Sequence, residues 1–272
     1  MEETVKLIII KNINKLTNPK IESLTKGDKI YNDPASGYKG TLFKCNYLND
    51  TSLEFRRHNV KKNYRFAVKP RYKNKGKESL PCLPVIYLGL FRLFALGEFS
   101  DNEKSISKFS TNTSKDFKKD LENFYFGFTN YNLTLEDINS MGNIKNRIGF
   151  NTDKDGIDSN TISAGEDNLL IILTALLSLK YYYNNLNNSN QDVESILLID
   201  EFDASLHPEF QIKLYEICKE YSQKYKIQIF FTSHSLSLIE YALNKKNNSI
   251  FYLRDDIDSV GIVDDLDIYK IK

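Results

Sequence analysis

Two neighbouring carboxylates, Asp200 and Glu201, follow directly on an apolar run, Ile196–Ile199. A run of Leu and β-branched residues is typical of a strand buried on both faces, as in the middle of a parallel sheet. Ligands of open α/β sheets bind outside the carboxyl ends of such strands. Asp200 could therefore hold Mg²⁺, which takes hard oxygen ligands, and Glu201 could polarise an attacking water. The alternative is a strand that simply ends in two acidic loop residues.

The sequence behind this dipeptide predicts a strand–helix–strand unit. Pro208 can open a helix, because its missing N–H has no partner at that position in any case, and apolar residues follow at helical spacing. A second buried strand is predicted at Ile227–Phe231, and it ends in Thr232-Ser-His-Ser. If the unit is right-handed and parallel, His234 lies at the same sheet edge as Glu201.

A third set of residues, Ser163-Ala-Gly-Glu, stands before an apolar helix predicted at residues 168–183. Ser163 suits the N-cap of a helix, and Glu166 three residues later completes a capping box. A helix N-terminus after a small, Gly-containing turn also suits an anion such as a γ-phosphate. The residues alone leave both interpretations open.

Taken in order, these elements resemble the C-terminal half of an ABC-type ATPase head, in the branch that includes the SMC, RecF and overcoming-lysogenisation-defect (OLD) proteins. Leu206-His-Pro, behind the two carboxylates, is frequent in that branch. The likeness covers roughly residues 84–254. It implies an α/β fold whose parallel-sheet, P-loop NTPase-like core carries an N-terminal antiparallel β portion and a helical insertion.

The resemblance also implies roles for single residues. Asp200 matches the Walker B aspartate that holds Mg²⁺ through water, Glu201 matches the catalytic glutamate, and His234 matches the switch histidine that senses the γ-phosphate. The signature motif, which caps ATP bound to the opposite subunit, corresponds to Ser163, Ala164, Gly165 and Glu166. The D-loop that links the two sites corresponds to Ala204, Ser205 and Leu206. A homodimer with ATP and Mg²⁺ at its interface is therefore expected.

The sequence departs from this family at one point. No stretch matches the P-loop pattern Gly-x-x-x-x-Gly-Lys-Ser/Thr, whose amides and lysine cradle the β- and γ-phosphates. Gly76-Lys77 is followed by Glu78 and has Arg71 in place of the first glycine. We expect either a truncated or split gene product, whose P-loop lies elsewhere, or a degenerate head that no longer binds nucleotide alone.

A basic segment lies further towards the N-terminus. Residues 56–77 contain ten Lys or Arg and no Asp or Glu. Apolar and aromatic residues alternate there with basic ones, which predicts a strand with one basic face. Such a face could follow a nucleic-acid backbone, or it could be a solvated edge that lysines protect from pairing. Arg92, just past a strand predicted at Val85–Leu88, could reach a phosphate or a partner chain, or form a surface ion pair.

We predict one domain over residues 1–272. It comprises an antiparallel and basic portion at 1–83, a helical portion at 84–160, a core at 161–254 with the signature, Walker B and switch-histidine residues, and an acidic tail at 255–272. The net charge of +1 implies no general polyanion partner. The three cysteines form no metal or disulfide pattern. With no signal peptide visible and no apolar stretch long enough to span a bilayer, a cytoplasmic protein without membrane association is expected.

Three functions follow from these patterns. The first is an ATP-binding and ATP-hydrolysing module that acts with a partner on nucleic acid or on an effector protein such as a nuclease, in bacterial anti-phage defence or DNA repair. The second is a catalytically degenerate interaction module that kept the scaffold. The third is a metal-dependent nuclease using the aspartates of Asp255–Asp267, although acidic runs of this kind are usually only solvated.

Overall fold

The computed structural model describes residues 38–46, 52–59, 66–72, 83–93, 106–109, 114–141, 145–245, 250–256, 259–263, 267 and 271. Their strands are β1 (Thr41–Asn46), β2 (Ser52–Asn59), β3 (Phe66–Arg71), β4 (Val85–Leu88), β5 (Ile106–Phe109), β6 (Leu133–Met141), β7 (Lys145–Thr152), β8 (Ser195–Ile199), β9 (Ile227–Phe231), β10 (Leu253–Asp256) and β11 (Ser259–Ile262). Their α-helices are α1 (Lys115–Thr129), α2 (Ala164–Asn184), α3 (Pro208–Tyr225) and α4 (Leu236–Asn244). They belong to two compact units, which divide between residues 85 and 86.

The sequence predicts antiparallel strands at Gly40–Asn46 and Ser52–Arg57, and the first unit contains an antiparallel sheet in the order β1-β2-β3. Leu53 and Phe55 are buried, and the ring of Phe43 stacks on that of Phe55 with 4.8 Å between centroids. Within β3 and the residue after it, Val68 and Tyr72 are half-buried, whereas Lys69 and Arg71 are exposed. The predicted alternation therefore holds here, while Tyr64, Arg65 and Lys73 lie outside the described residues.

The second unit is built around a sheet in the order β4-β8-β9. β8 and β9 run parallel, with Ser195 opposite Ile227 and Ile199 opposite Phe231, as the strand–helix–strand prediction requires. The amide of Asp200 donates to the carbonyl of Leu88 over 2.9 Å. Because these two residues stand at the ends of β8 and β4, the carboxyl ends of the two strands meet.

The prediction that both apolar runs are fully buried is wrong. In β8 buried residues alternate with half-buried ones, and in β9 the ring of Phe230 is 52% exposed. β9 is the last strand of this sheet in the described part of the chain. One face of β9 packs against α3, so its alternate side chains stay accessible.

The helix α2 forms the centre of the hydrophobic core. Its residues from Asp167 to Leu179 are all buried, which is typical of a helix surrounded by protein on every side. The hydroxyls within it are satisfied internally, because Thr174 donates to the carbonyl of Leu170 over 2.6 Å and Ser178 donates to that of Thr174 over 2.5 Å. Among the residues that the structure describes, no helix combines the length and the apolar character needed to cross a bilayer.

The segment 84–160, predicted as a helical portion with strands at Val85–Leu88 and Ile144–Phe150, contains less helix than predicted. Its described residues hold one α-helix, α1, beside an antiparallel sheet in the order β5-β6-β7. Burial alternates with a period of two in β6, where Leu133 and Leu135 are buried, whereas in β7 three successive residues, Ile148, Gly149 and Phe150, are buried. The sequence predicts an apolar helix face with Phe117, Leu121, Phe124 and Tyr125. In α1 the buried residues are Phe117, Leu121, Tyr125 and Phe128, and Phe124 is half-buried.

The acidic tail also contains described structure. β10 and β11 form an antiparallel hairpin in which Asp255 lies opposite Val260. The sequence of Ser249–Arg254 predicts a strand, and in the structure this strand begins later, at Leu253.

Burial predicts the reactivity of one thiol. Cys218 is 3% exposed, and burial raises its pKa from 9.0 to about 12, so almost no reactive thiolate exists at pH 8. We expect site-resolved mass spectrometry to show iodoacetamide labelling of the half-buried Cys45 at a rate at least tenfold higher in the folded chain, and similar rates for both thiols in 6 M guanidinium. Equal rates in the folded chain would contradict the burial of Cys218.

Candidate functional site at the carboxyl ends of β8 and β9

A threonine joins the two strands where they end. The hydroxyl of Thr232 donates to Asp200 Oδ1 over 2.9 Å and accepts from the amide of Glu201 over 2.8 Å. The backbone continues this connection, because the amide of Thr232 donates to the carbonyl of Ile199 and the amide of Phe202 donates to that of Thr232. Thr232, the first residue after β9, thus holds Asp200 and Glu201, the two residues after β8.

Glu201 and His234 meet at this edge, as the sequence predicts. Nε2 of His234 lies 3.3 Å from Oε1 of Glu201. The histidine side chain is 82% exposed, whereas that of the glutamate is 30% exposed. The amide of His234 donates to Asp203 Oδ1 over 3.1 Å, so the backbone of the histidine is fixed while its imidazole faces solvent. An incoming ligand can therefore reach both side chains.

The loop after β8 has a strained backbone at two positions. Four non-glycine residues in the described chain have positive φ, and two of them, Asn130 and Lys226, are helix C-caps. The other two are Glu201 with φ 52° and Ser205 with φ 60°. A left-handed conformation costs a non-glycine residue of order 1–3 kcal/mol, and such residues cluster at functional sites.

Buried side chains hold this strained loop in place. Phe202 is fully buried and stacks on Phe231 with 4.5 Å between ring centroids. Gln211 of α3 is also buried, and its amide nitrogen donates to the carbonyl of Leu206 over 2.8 Å. Its amide oxygen accepts from the hydroxyl of Ser235, the N-cap of α4, over 2.5 Å. The loop is therefore tied to the helices that follow β8 and β9.

The predicted signature residues lie at the start of α2. Ser163 is the N-cap, and the capping box with Glu166 is present, with the Ser163 hydroxyl donating to Glu166 Oε2 over 2.8 Å. The side chains of Ser163 and Ala164 are exposed. Gly165 packs against the loop after β8 so closely that an added Cβ would lie 2.2 Å from the carbonyl oxygen of Ser205. The signature and the predicted D-loop are therefore neighbours within one chain.

A buried arginine connects these parts. Arg92 follows β4 in a 3₁₀ helix, Leu90–Leu93, and is 5% exposed. Its guanidinium donates to the carbonyls of Leu88 over 3.1 Å and Glu201 over 2.5 Å. It also donates to Asn168 Oδ1 over 2.8 Å. The prediction that Arg92 forms a surface ion pair is wrong, because the residue packs inside the protein against backbone oxygens.

The Arg92 contacts extend to the predicted D-loop. The Asn168 side chain accepts from Arg92 and donates through its own amide to the carbonyl of Ala204 over 3.0 Å. Burial lowers the pKa of Arg92 to about 10, although the charge of Asp200 opposes this shift. The group therefore stays charged at neutral pH. Tyr87 nearby has its pKa raised by burial and by the charge of Asp200, so its phenol stays neutral.

The structure thus brings most of the predicted residues to one edge of the sheet. Asp200, Glu201 and His234 are joined through Thr232 and direct contact, and Gly165 touches Ser205. Sequence analysis missed the positioning roles of Arg92, Asn168 and Gln211. For Asn168 and Gln211 the sequence does indicate such a role, because both are polar residues at positions where helical periodicity predicts apolar ones.

The carboxylates of this site could supply only part of the coordination shell of Mg²⁺. The described residues contain no group of three His, Cys, Asp or Glu side chains that could hold a metal ion. Mg²⁺ is usually bound through one or two carboxylates, with water and substrate phosphates as its other ligands. The half-buried Asp200, oriented by Thr232, fits that mode of binding.

The fold and the site define a class of protein. Residues 42–240, more than half of the chain, match a family model described as "AAA domain, putative AbiEii toxin, Type IV TA system". The chain belongs to this family, and its mixed α/β structure with a parallel sheet is consistent with an AAA-type NTPase fold. The narrower likeness to the SMC, RecF and OLD branch stays a prediction.

One curated relative gives a more particular likeness. The chain is 29% identical over 110 residues to the Septu protein PtuA of Bacillus thuringiensis. The match covers 40% of this chain and 25% of the relative. The chain therefore aligns with only a quarter of that protein.

Proposed function

We propose that this chain supplies the Walker B, signature and switch-histidine parts of an ATP-hydrolysing site of ABC type. In this proposal it works in the cytoplasm with a partner, on nucleic acid or on an effector such as a nuclease, in bacterial anti-phage defence or DNA repair. The observation that carries the proposal is the contact between Glu201 and His234 beside Asp200 at the carboxyl ends of two parallel strands. The toxin–antitoxin description of the family and the likeness to a Septu protein support the defence setting.

The side chains divide the chemistry between them. Asp200 would hold Mg²⁺ through water, and the Glu201 carboxylate would orient the attacking water and accept its proton. When its Nε2 carries a proton, His234 can donate to Glu201 Oε1, 3.3 Å away, and so fix the orientation of that carboxylate. Bound Mg-ATP would supply the phosphorus atom that the water attacks.

The second half of the proposed site comes from another copy of the chain. The N-terminus of α2 has exposed Ser163 and Ala164, and a helix N-terminus favours an anion. In a homodimer, Ser163, Ala164, Gly165 and Glu166 would cap the nucleotide held by the other copy, with Ser205 linking the two sites. The P-loop absent from these 272 residues would be supplied by further polypeptide sequence or by a partner.

The test is Glu201→Gln in a tagged complex isolated from the natural host. The amide keeps the shape of the side chain but cannot accept the proton, so we expect ATP turnover to fall by about 100-fold or more. ATP binding should persist, and size-exclusion chromatography with ATP should show an increased fraction of dimer. Turnover is measured by phosphate release.

The matched control is Glu220→Gln on the exposed side of α3, which makes the same chemical change away from the site. It should leave turnover within twofold of the wild type. If Glu201→Gln behaves like Glu220→Gln in a complex that hydrolyses ATP, the proposed role of Glu201 is wrong.

A second candidate function is an interaction module that no longer binds ATP by itself. The observation in its favour is the missing P-loop pattern. Isothermal titration calorimetry of the tagged complex with Mg-ATP separates the two functions. Micromolar binding that Asp200→Asn weakens supports the ATPase, whereas no detectable binding supports the interaction module.

A further inference from the structure

The first unit has a concave, positively charged surface that the nucleotide site does not use. Its volume is about 360 Å³, and its lining includes Tyr38 and the four cationic side chains of Lys39, Arg56, Arg57 and Arg71. Cavities of this size are at the lower end of the range that small ligands occupy. We call it the cationic groove.

Strand pairing brings these cations together from separate parts of the chain. Arg56 of β2 lies opposite Thr41 of β1 on one side and opposite Lys69 of β3 on the other. Arg71 lies opposite Glu54. Lys69 is exposed and is not part of the groove lining, so the positive surface continues beyond the cavity along β3.

Positive charge exceeds negative charge in the first unit. The described residues of the first unit contain six Lys or Arg and a single acidic residue, Glu54. Its carboxylate lies 3.7 Å from the guanidinium of Arg71 and accepts from the hydroxyl of Thr41 over 3.1 Å. Over the whole of residues 18–85 the sequence has fifteen Lys or Arg and six Asp or Glu, so the net charge of the first unit is positive. Gathering like charges in one concavity is unfavourable unless an anion binds there.

An aromatic ring is fixed at the rim of the groove. The hydroxyl of Tyr38 donates to the carbonyl of Thr41 over 2.8 Å. The ring packs over Gly40, whose φ of 146° favours glycine and where an added Cβ would lie 3.4 Å from the Tyr38 hydroxyl. Tyr38 is nevertheless 47% exposed. A ring that is held in place and still accessible is suited to stacking on a nucleobase.

We propose that the cationic groove binds the phosphates of a nucleic-acid strand, with Tyr38 stacking on a base. Guanidinium groups match the geometry of phosphate oxygens, and basic grooves beside aromatic rings are typical of single-strand binding surfaces. The extension of charge to Lys69 favours a strand over a free nucleotide, because a strand places further phosphates outside the cavity. The inference deepens the nucleic-acid part of the proposed function by naming a surface for it, and it does not depend on the ATP site.

The test compares salt dependence between variants of the full chain. Binding of a fluorescein-labelled 20-nucleotide DNA and RNA is measured by anisotropy from 50 to 300 mM NaCl, without ATP or Mg²⁺. Each phosphate contact contributes about 0.7 to the slope of log K against log salt for a single strand. Lys39→Gln with Arg56→Gln should therefore reduce the slope by about 1.4 and weaken binding several-fold. Tyr38→Ala should weaken binding while leaving the slope unchanged.

The matched control carries Lys119→Gln and Lys219→Gln, two exposed residues of α1 and α3, and so has the same net charge. The proposal is overturned if this control lowers the slope as much as the groove variant, or if the wild type binds neither oligonucleotide. Competition by pyrophosphate at matched ionic strength distinguishes the two sources of phosphate. If pyrophosphate displaces the strand at micromolar concentration, the groove is a site for free phosphate compounds and the strand assignment is wrong.

Discussion

Replacing Arg92 with methionine is expected to lower the free energy of unfolding by about 3 kcal/mol, because each buried acceptor left without a donor costs about 1–3 kcal/mol. Methionine can fill part of the volume but cannot donate to the carbonyls of Leu88 and Glu201 or to the side chain of Asn168. The change is measured by urea unfolding followed by circular dichroism. Arg92→Lys keeps the positive charge but not the planar set of N–H donors of the guanidinium. Its decrease in the free energy of unfolding should therefore lie between zero and that of Arg92→Met.

The loop after β8 should lose protection in the same variant. Arg92 holds the carbonyl of Glu201 directly and that of Ala204 through Asn168. Hydrogen–deuterium exchange of a peptide containing residues 200–206 should therefore be faster in Arg92→Met under native conditions. The control is Lys119→Met on the exposed face of α1, for which a change within about 0.5 kcal/mol is expected. Equal stability of the two variants would show that the Arg92 contacts contribute nothing.

Replacing Gly165 with alanine is expected to destabilise the protein by about 1–3 kcal/mol, the usual cost of overpacking. The new methyl group would lie 2.2 Å from the carbonyl oxygen of Ser205. That oxygen belongs to the backbone, so relief requires α2 or the loop after β8 to move. We expect the movement to separate the signature from the D-loop, and ATP turnover in the host complex to fall by at least tenfold.

Gly127 provides a control for Gly165→Ala with the opposite sign. It lies in α1, and an added Cβ there meets no atom within 4 Å. Gly127→Ala should therefore stabilise the protein by about 0.5–1 kcal/mol through helix propensity. The measurement is the midpoint of thermal unfolding of each variant relative to the wild type. If the two alanines shift the midpoint in the same direction, close packing at Gly165 does not determine its effect.

Local patterns in the sequence determined a large part of the candidate site. The parallel pair of β8 and β9 followed from two apolar runs at the spacing of a strand–helix–strand unit. The meeting of Glu201 and His234 followed from the same pattern, since both residues come just after a strand end. The capping box of Ser163 and Glu166 spans only four residues. Each of these predictions depends on residues that are close in sequence, or on the right-handed connection of parallel strands. Neither requires coordinates.

Only the tertiary structure decided the features that depend on distant partners. Arg92 and Asn168 are 76 residues apart, and nothing local to either residue shows that they hydrogen-bond inside the core. The contact of Gly165 with Ser205 likewise depends on how α2 packs. Residues 100–160 are polar and read as mostly helical, yet the strands β5, β6 and β7 pair there into an antiparallel sheet. Periodicity tells which side of a segment is apolar. Which polar groups become buried, and which partners then satisfy them, is determined by packing between segments far apart in the chain.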